Sequence, residues 1–196
     1  MDIRVNDLLK LKVLCPAEDA TKVFSIVEKN RQHLQIWLPW AKMNSSVEHE
    51  KSYLQKCLER YESGCGMEMG IFNRTTNEHG IVNWNFIGMA GFVRIERETI
   101  EDSFAEVGYW LDYDHRGQGI ATKCCQKLLE FAFTCLNLDK LKIVVHQDNQ
   151  PSISVADRLK FKLTNEKVTE LNPRFHAEPN KLLVFAICKR DWRDAR

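Results

Sequence analysis

The chain contains no apolar run near the roughly 18 residues that a membrane-spanning helix needs. Residues 1–12 alternate charged and apolar side chains, which does not read as a signal peptide. Neither sign of charge is in excess: 28 Lys and Arg stand against 27 Asp and Glu, for a net +1, and no basic block occurs. A nucleic acid is therefore not an expected direct partner, and neither is a membrane. No CxxC pair and no Cys/His set at ligand spacing is present, so no metal is expected. The seven cysteines, Cys15, Cys57, Cys65, Cys124, Cys125, Cys135 and Cys188, are odd in number, and several fall at apolar positions of helical patterns. They read as buried, reduced thiols of a cytoplasmic protein. Repeats, linkers and low-complexity tracts are also missing, which leaves one expected domain over residues 1–196.

What is present is an ordinary soluble pattern, 44% apolar and 28% charged. Residues 8–14 read as a strand. Pro16 suits the first turn of a helix, with Glu18 and Asp19 placed to favour its dipole and Ala20, Val23, Phe24 and Val27 forming its apolar face. A second short helical stretch starts at Asn30 and ends before Pro39. Ser45 and Glu48 form a capping-box pattern for a third helix, with Tyr53, Leu54, Cys57, Leu58 and Tyr61 on its buried side and Gly64 and Gly66 at its end. Residues 67–72 and 86–95 read as an antiparallel pair joined by a long connection, 73–85. A polar loop at 96–102 leads to a strand at 104–111. A helix follows at about 120–136, then a strand at 141–146, a short helix at 152–159 and strands at 161–168 and 182–188. This order implies one mixed α/β sheet flanked by helices.

The informative segment joins the strand at 104–111 to the helix after it. Tyr109, Trp110 and Leu111 end the strand, and Arg116, Gly117, Gln118 and Gly119 turn the chain. Ile120, Ala121 and Thr122 then begin the helix. Glycines let backbone N–H groups converge, and a helix N-terminus adds unpaired donors and partial positive charge, as a pyrophosphate requires. The turn lacks the GxxxxGK[ST] of a Walker loop. It also misses the third glycine of a dinucleotide fingerprint, where Thr122 stands, and it follows about four strands rather than one. Arg116-x-x-Gly119-x-Ala121 does match the [QR]-x-x-G-x-[GA] motif of GNAT acetyltransferases.

Three further blocks resemble the RimJ/RimL group of that family, and within it the ribosomal-protein-serine acetyltransferases. They are Ala105-Glu106-Val107-Gly108-Tyr109-Trp110-Leu111; Asn149 and Ser152 with Ala156-Asp157-Arg158-Leu159-Lys160-Phe161; and Asn30 through Trp40. The resemblance implies the GNAT fold, a twisted sheet whose central parallel strands, 104–111 and 141–146, splay around acetyl-CoA. It implies a cofactor set of Tyr109, Trp110, Leu111, Arg116, Gly117, Gln118, Gly119, Ile120, Ala121, Thr122, Asn149 and Ser152. Arg116 either adds charge or fixes the turn. Asn149 either bonds the pantetheine arm or caps its helix.

Glu106 is the lone charge of an apolar strand. An attacking amine must lose a proton, and a half-buried carboxylate can take it. A structural pair with Lys or Arg is the alternative. Ser152 either donates to the leaving thiolate or caps its helix; no Tyr follows Tyr113 to serve as an acid. Gly108 suggests a bulge that opens its strand, or close packing of a helix. Trp37 and Trp40 wall the acceptor pocket or pack the core, and His33 reads as a helix-end residue. Lys160 stands where the group has Gly, and 166–181 lacks the group's acidic-aromatic pattern. The expected activity is acetyl transfer to a primary amine, such as the N-terminal α-amine of a protein, with small amines or mere acyl-CoA binding as alternatives. Acetyl-CoA and the acceptor are the expected partners, with a homodimer left open.

Overall fold

The computed structural model describes residues 1–97, 103–168 and 181–194. Two short strands, β1 (Asp2–Arg4) and β2 (Leu9–Lys12), open the chain. The first is too short to show a period in the sequence. Helix α1 (Pro16–Leu34) starts on Pro16, and its Asp19 carboxylate accepts from the Cys15 backbone N–H at 2.9 Å. The separate helix expected from Asn30 is corrected: α1 runs through Asn30 unbroken. Asn30 is buried, and its Nδ2 donates to the Ile26 carbonyl and to Asp112 Oδ1, both at 2.8 Å, so a polar residue serves the helix instead of ending it. After α2 (Trp40–Met43), helix α3 (Val47–Glu62) is capped by Ser46, one residue later than the capping-box pattern suggests. Ser46 Oγ accepts from the His49 N–H at 3.2 Å.

Strands β3 (Met67–Thr76) and β4 (Val82–Arg97) correct the expected long connection. Their arms stay paired out to Thr76↔Val82, and only 77–81 turn. Asn77 Oδ1 accepts from the N–H groups of His79 and Ile81 at 3.0 and 2.9 Å, which closes the turn. The outer arms are exposed on both faces, so they carry no apolar alternation to read. The chain continues through β5 (Ser103–Leu111), α4 (Ile120–Thr134), β6 (Lys140–His146) and α5 (Gln150–Arg158). It then forms β7 (Lys162–Leu163), β8 (Leu182–Cys188) and α6 (Lys189–Asp194). Of the strand expected at 161–168 only β7 forms. Most of the polar loop expected at 96–102, and residues 169–180, lie outside the described residues.

The strands make one sheet in the order β1-β2-β3-β4-β5-β6-β8-β7. Helix α4 packs Cys124, Leu128, Leu129 and Phe133 on one face, and α1 and α3 pack Val23, Val27 and Leu54 on the other. Each fully buried side chain of this size contributes about 1.5–3 kcal/mol. Cys57, Cys124 and Cys125 are buried, but Cys65, Cys135 and Cys188 are exposed, which corrects the expectation of a buried set. Cys135 is the C-cap of α4, at the exposed end of the helix.

Strands β5 and β6 are parallel and pair at only three rungs, Phe104↔Lys140, Ala105↔Leu141 and Glu106↔Lys142, before they part. The cause lies next door. Across β4 and β5 the register shifts between Phe92↔Val107 and Arg94↔Glu106, which leaves Val93 as an extra residue. A bulge bends its strand and steepens the twist. Strand β5 stays paired to β4 as far as Leu111 and turns with it, while β6 stays with β8 to its end. The bulge suggested by Gly108 is therefore in the neighbouring strand. A Cβ on Gly108 would meet Val93 Cγ1 at 2.6 Å, so the glycine makes room for the bulged side chain.

Two predictions follow from backbone and burial. Lys160 has φ +63, and its N–H donates to the Asp157 carbonyl while that of Phe161 donates to Ala156, the paired bonds of a left-handed helix stop. Lys160→Gly is expected to raise stability by about 1 kcal/mol, as measured by urea unfolding. Glu50 is buried in α3, where Asn44 Nδ2 donates to it, and desolvation pushes its carboxyl from 4.5 up to about 7. A raised folded-state value means stability is full below pH 4.5 and is lost as pH rises through about 7. Glu50→Gln is expected to stabilise by up to roughly 3 kcal/mol at pH 8 and by much less at pH 5. Equal gains at both pH values would refute it.

Candidate active site

Where β5 ends, Asp112 is buried and gathers the turn. It accepts from Asn30 Nδ2 at 2.8 Å and Lys29 Nζ at 3.0 Å, with His115 Nδ1 at 3.2 Å. Asn30 Oδ1 in turn accepts from the Tyr113 N–H at 2.8 Å. These bonds outweigh desolvation and hold the Asp112 carboxyl below its ordinary value. The turn is thereby tied to α1. Gly117 and Gly119 both have φ +72, and a Cβ on either would meet nothing within 4 Å, so conformation rather than crowding calls for glycine. Gly119 is the N-cap of α4, which has no capping side chain and no acid in its first turn. Its first N–H groups are thus available to an anion.

A cavity of about 630 Å³ opens against this helix start. Arg116, Lys123 and Arg158 stand around it and add positive charge, with His33 beside them. Arg116 Nη1 lies 3.2 Å from His33 Nδ1, and its guanidinium is 5.2 Å from the centre of the Tyr113 ring. Burial, and then the charge of Arg116, hold the His33 imidazole below its usual value.

A second cavity, of about 580 Å³, lies on the α1–α3 side of the sheet. Trp37, Trp40, Tyr53 and Trp110 wall it. Trp40 stacks on Tyr53 with centroids 6.3 Å apart and meets Trp110 at 6.1 Å. Two carboxylates, Glu68 and Glu106, line it. Tyr53 Oη donates to Glu68 at 2.6 Å, and Arg60 forms an ion pair with Glu68. Glu106, 5% exposed, sits at the last paired rung of the fork, with Arg94 Nη2 3.9 Å from its Oε2. Trp37, Leu38, Tyr109, Trp110, Asn149 and Ser152 line both cavities, so the two meet through the gap between β5 and β6.

The residues singled out in the sequence fall as follows. Tyr109, Trp110, Leu111, Arg116, Gly117, Gly119, Ile120, Ala121, Thr122, Asn149 and Ser152 line the first cavity. Gln118 does not; its Nε2 donates back to the Asp114 carbonyl at 3.1 Å. Asn149 is the N-cap of α5, accepting from the Ser152 N–H at 3.3 Å, so its capping role is realised. Ser152 does not cap: its Oγ lies 2.8 Å from Tyr109 Oη. Glu106, Trp37 and Trp40 line the second cavity. Among the described residues no helix is long and apolar enough to cross a membrane.

Comparison with known proteins accords with this layout. Residues 9–162 match the model of the acetyltransferase (GNAT) domain. The chain belongs to the GNAT acetyltransferase family. It is 30% identical over 160 residues to the ribosomal-protein-serine acetyltransferase of Escherichia coli (strain K12), covering 81% of this chain and 82% of that one. It is 26% identical over 193 residues to YdaF of Bacillus subtilis (strain 168), covering 96% of each. Among solved structures, RimL, a ribosomal L7/L12 alpha-N-protein acetyltransferase in complex with coenzyme A, superposes with a TM-score of 0.80 at 25% identity. That match covers 98% of this chain and 99% of RimL. The chain is thus an acyl-CoA-dependent N-acetyltransferase of the RimJ/RimL-like group.

Other features of this acetyltransferase escape a reading of the sequence. Lys123 and Arg158 are ordinary helix residues until the fold turns them to one cavity. His33 lies in the cavity wall rather than merely at a helix end, and only its spacing from Pro16 along α1 hints at this. The Tyr109–Ser152 bond joins residues 43 apart, and no local pattern announces it. The helix-start reading generates a test. Gly119→Asp puts a carboxylate where an anion would lie, and Gly119→Asn imposes the same left-handed backbone without charge. CoA affinity is expected to fall more than ~10-fold further in the Asp variant than in the Asn variant. Calorimetry giving equal affinities would remove the anion assignment.

Proposed function

We propose that this enzyme moves the acetyl group of acetyl-CoA to a primary amine in the cytoplasm, and that the acceptor is the N-terminal α-amine of a protein. The observation that carries this reading is the meeting of the two cavities at the β5–β6 gap, with a basic helix start on one side and Glu106 on the other. The residues suit the cosubstrate. The uncapped N–H groups of α4 and the cations Arg116, Lys123 and Arg158 match a pyrophosphate. Beyond Glu106 the β5 edge leaves β6 and offers backbone groups to an extended arm. The bound group supplies an activated acetyl thioester. Glu106 takes the proton that the ammonium of the acceptor must lose before its nitrogen can attack. The indoles of Trp37 and Trp110 line the junction and give it apolar walls. Glu106 in the acceptor cavity also argues against a module that merely binds acyl-CoA.

The choice of acceptor rests on charge. A polyamine needs several unanswered carboxylates in a row. Here Arg60 answers Glu68, Arg94 stands by Glu106, and Lys56 adds a further cation to the wall. Aromatic walls around a single amine site suit a peptide end better. The protein-serine and L7/L12 activities of the relatives point the same way.

The test is CoA release with a panel of peptide N-termini against spermidine, amino acids and aminoglycosides, using wild type and Glu106→Gln. Peptides are expected to turn over, with kcat at least ~10-fold lower in Glu106→Gln, CoA affinity little changed, and the acidic limb of the pH–rate profile moved or lost. Turnover of small amines alone would overturn the acceptor assignment. A stable Glu106→Gln enzyme with wild-type kcat and pH profile would remove Glu106 from the chemistry.

A further inference from the structure

Tyr109 is half-buried and lines both cavities at their junction, on the strand that leaves the fork. Its partners among the described residues are two atoms of Ser152: Oγ at 2.8 Å and the carbonyl oxygen at 3.4 Å. The longer contact exceeds a normal O–H···O bond. If Ser152 were the donor in the shorter one, the phenolic proton would be left with that poor acceptor alone. A phenol is a stronger donor than an aliphatic alcohol, and a hydroxyl proton left poorly paired is costly once a ligand fills the junction and covers this half-buried side chain. The Tyr109 O–H therefore donates to Ser152 Oγ, and the Ser152 proton is directed elsewhere, into the junction that Ser152 lines from both sides.

We propose that Tyr109 is a positioning residue: its hydroxyl fixes that of Ser152 so that the Ser152 O–H points at the sulfur of CoA. The inference rests on the acetyl-CoA reading above. As the amine nitrogen bonds the acetyl carbon, the C–S bond breaks and the sulfur keeps the electron pair. The nitrogen sheds two protons in all: Glu106 passes the first to solvent before attack and takes the second as the amide forms. Ser152 then stabilises the thiolate by donating a hydrogen bond and keeps its own proton. Tyr109 does not replenish a proton, because burial holds its phenol well above the ordinary range and opposes a phenolate there. The sequence offers no Tyr after Tyr113 to act as an acid. In this arrangement none is required, because a thiolate leaves without being protonated.

The test reads the sulfur itself and does not depend on turnover or on knowing the acceptor. The thiol of CoA bound to the enzyme is titrated by thiolate ultraviolet absorbance. The desulfo-CoA complex serves as the blank, which cancels the protein's own exposed thiols, Cys65, Cys135 and Cys188. In the wild type the bound thiol is expected to titrate about one pH unit below free CoA, because a hydrogen bond to the charged form lowers a pKa. Ser152→Ala and Tyr109→Phe should each remove most of that difference, and the double variant should remove no more. A folded Tyr109→Phe that keeps the wild-type thiol pKa, or whose effect adds to that of Ser152→Ala, overturns the proposal. As a second measure that spares the packing, tyrosine is replaced throughout by 3-fluorotyrosine, a stronger donor. It should lower the bound-thiol pKa further in the wild type and leave Ser152→Ala unchanged; no change in either overturns the proposal. A protein that binds no CoA would overturn the acetyl-CoA reading, and this inference with it. One that binds CoA with the thiol unperturbed overturns this inference alone.

Discussion

Everything at the site depends on β5 and β6 pairing for three rungs and no further. Backbone N–H and C=O groups are costly to leave unpaired away from water. A gap in the middle of a sheet therefore has to be imposed, and it offers ready partners to whatever enters it. Here the imposing device is small. Val93 is an extra residue in β4, and Gly108 opposite has no side chain to resist it. With both outer partners, β4 and β8, keeping their strands to the end, β5 and β6 have no choice but to diverge. Glu106 stands at the vertex, so the position of the carboxylate and the opening of the gap come from the same irregularity. An alanine at 108 would bring a Cβ 2.6 Å from Val93 Cγ1 and act on both at once.

A second constraint couples the two sides of the gap. The helix start that faces the basic cavity belongs to the chain after β5, while much of the aromatic wall of the other cavity comes from Trp37 just beyond α1, from α2 and from α3. Asp112 connects them. Asn30 and Lys29 of α1 bond its carboxylate, and Asn30 also fixes the Tyr113 N–H at the entrance of the glycine turn. Close to it, His33 of the same helix meets Arg116 of the turn. The polar contacts cross between segments more than 80 residues apart in sequence. They hold the turn to the helix more firmly than the two glycines could manage alone.

Much of this was legible in the chain, and the reasons differ from place to place. The turn at 116–122 could be read because its requirements are local: two left-handed residues and a helix with nothing acidic at its start. The faces of α3 and α4 could be read because burial follows the helical period. The outer arms of β3 and β4 could not, since exposed strands have no alternation to show. Asn30 looked like a boundary because its main service is to Asp112, 82 positions away. Gly108 signalled a bulge but not which strand carried it, because a glycine can yield to a neighbour as well as bend itself. The Tyr109–Ser152 bond was invisible for a similar reason: Tyr109 is read as part of a strand signature, and only the fold gives its hydroxyl a partner.

The two cavities also divide the sequence unequally. The basic one is built almost wholly from residues 109–158, with 33–38 closing it, and these are the stretches where the glycine turn and the Asn149–Phe161 block carry the family resemblance. The aromatic one takes its distinctive wall from 37–68, on α2, α3 and the start of β3, and shares with the first only the residues at the gap. On the proposed reading pyrophosphate chemistry constrains the first wall, because any chain that holds that anion must present N–H groups and cations in much the same way. No comparable demand falls on the second. If the second cavity takes the acceptor as proposed, changes at Trp40, Tyr53 and Lys56 act on the acceptor while the fork, the glycine turn and Ser152 stay in place. Specificity can thus drift while the donor side stays constant.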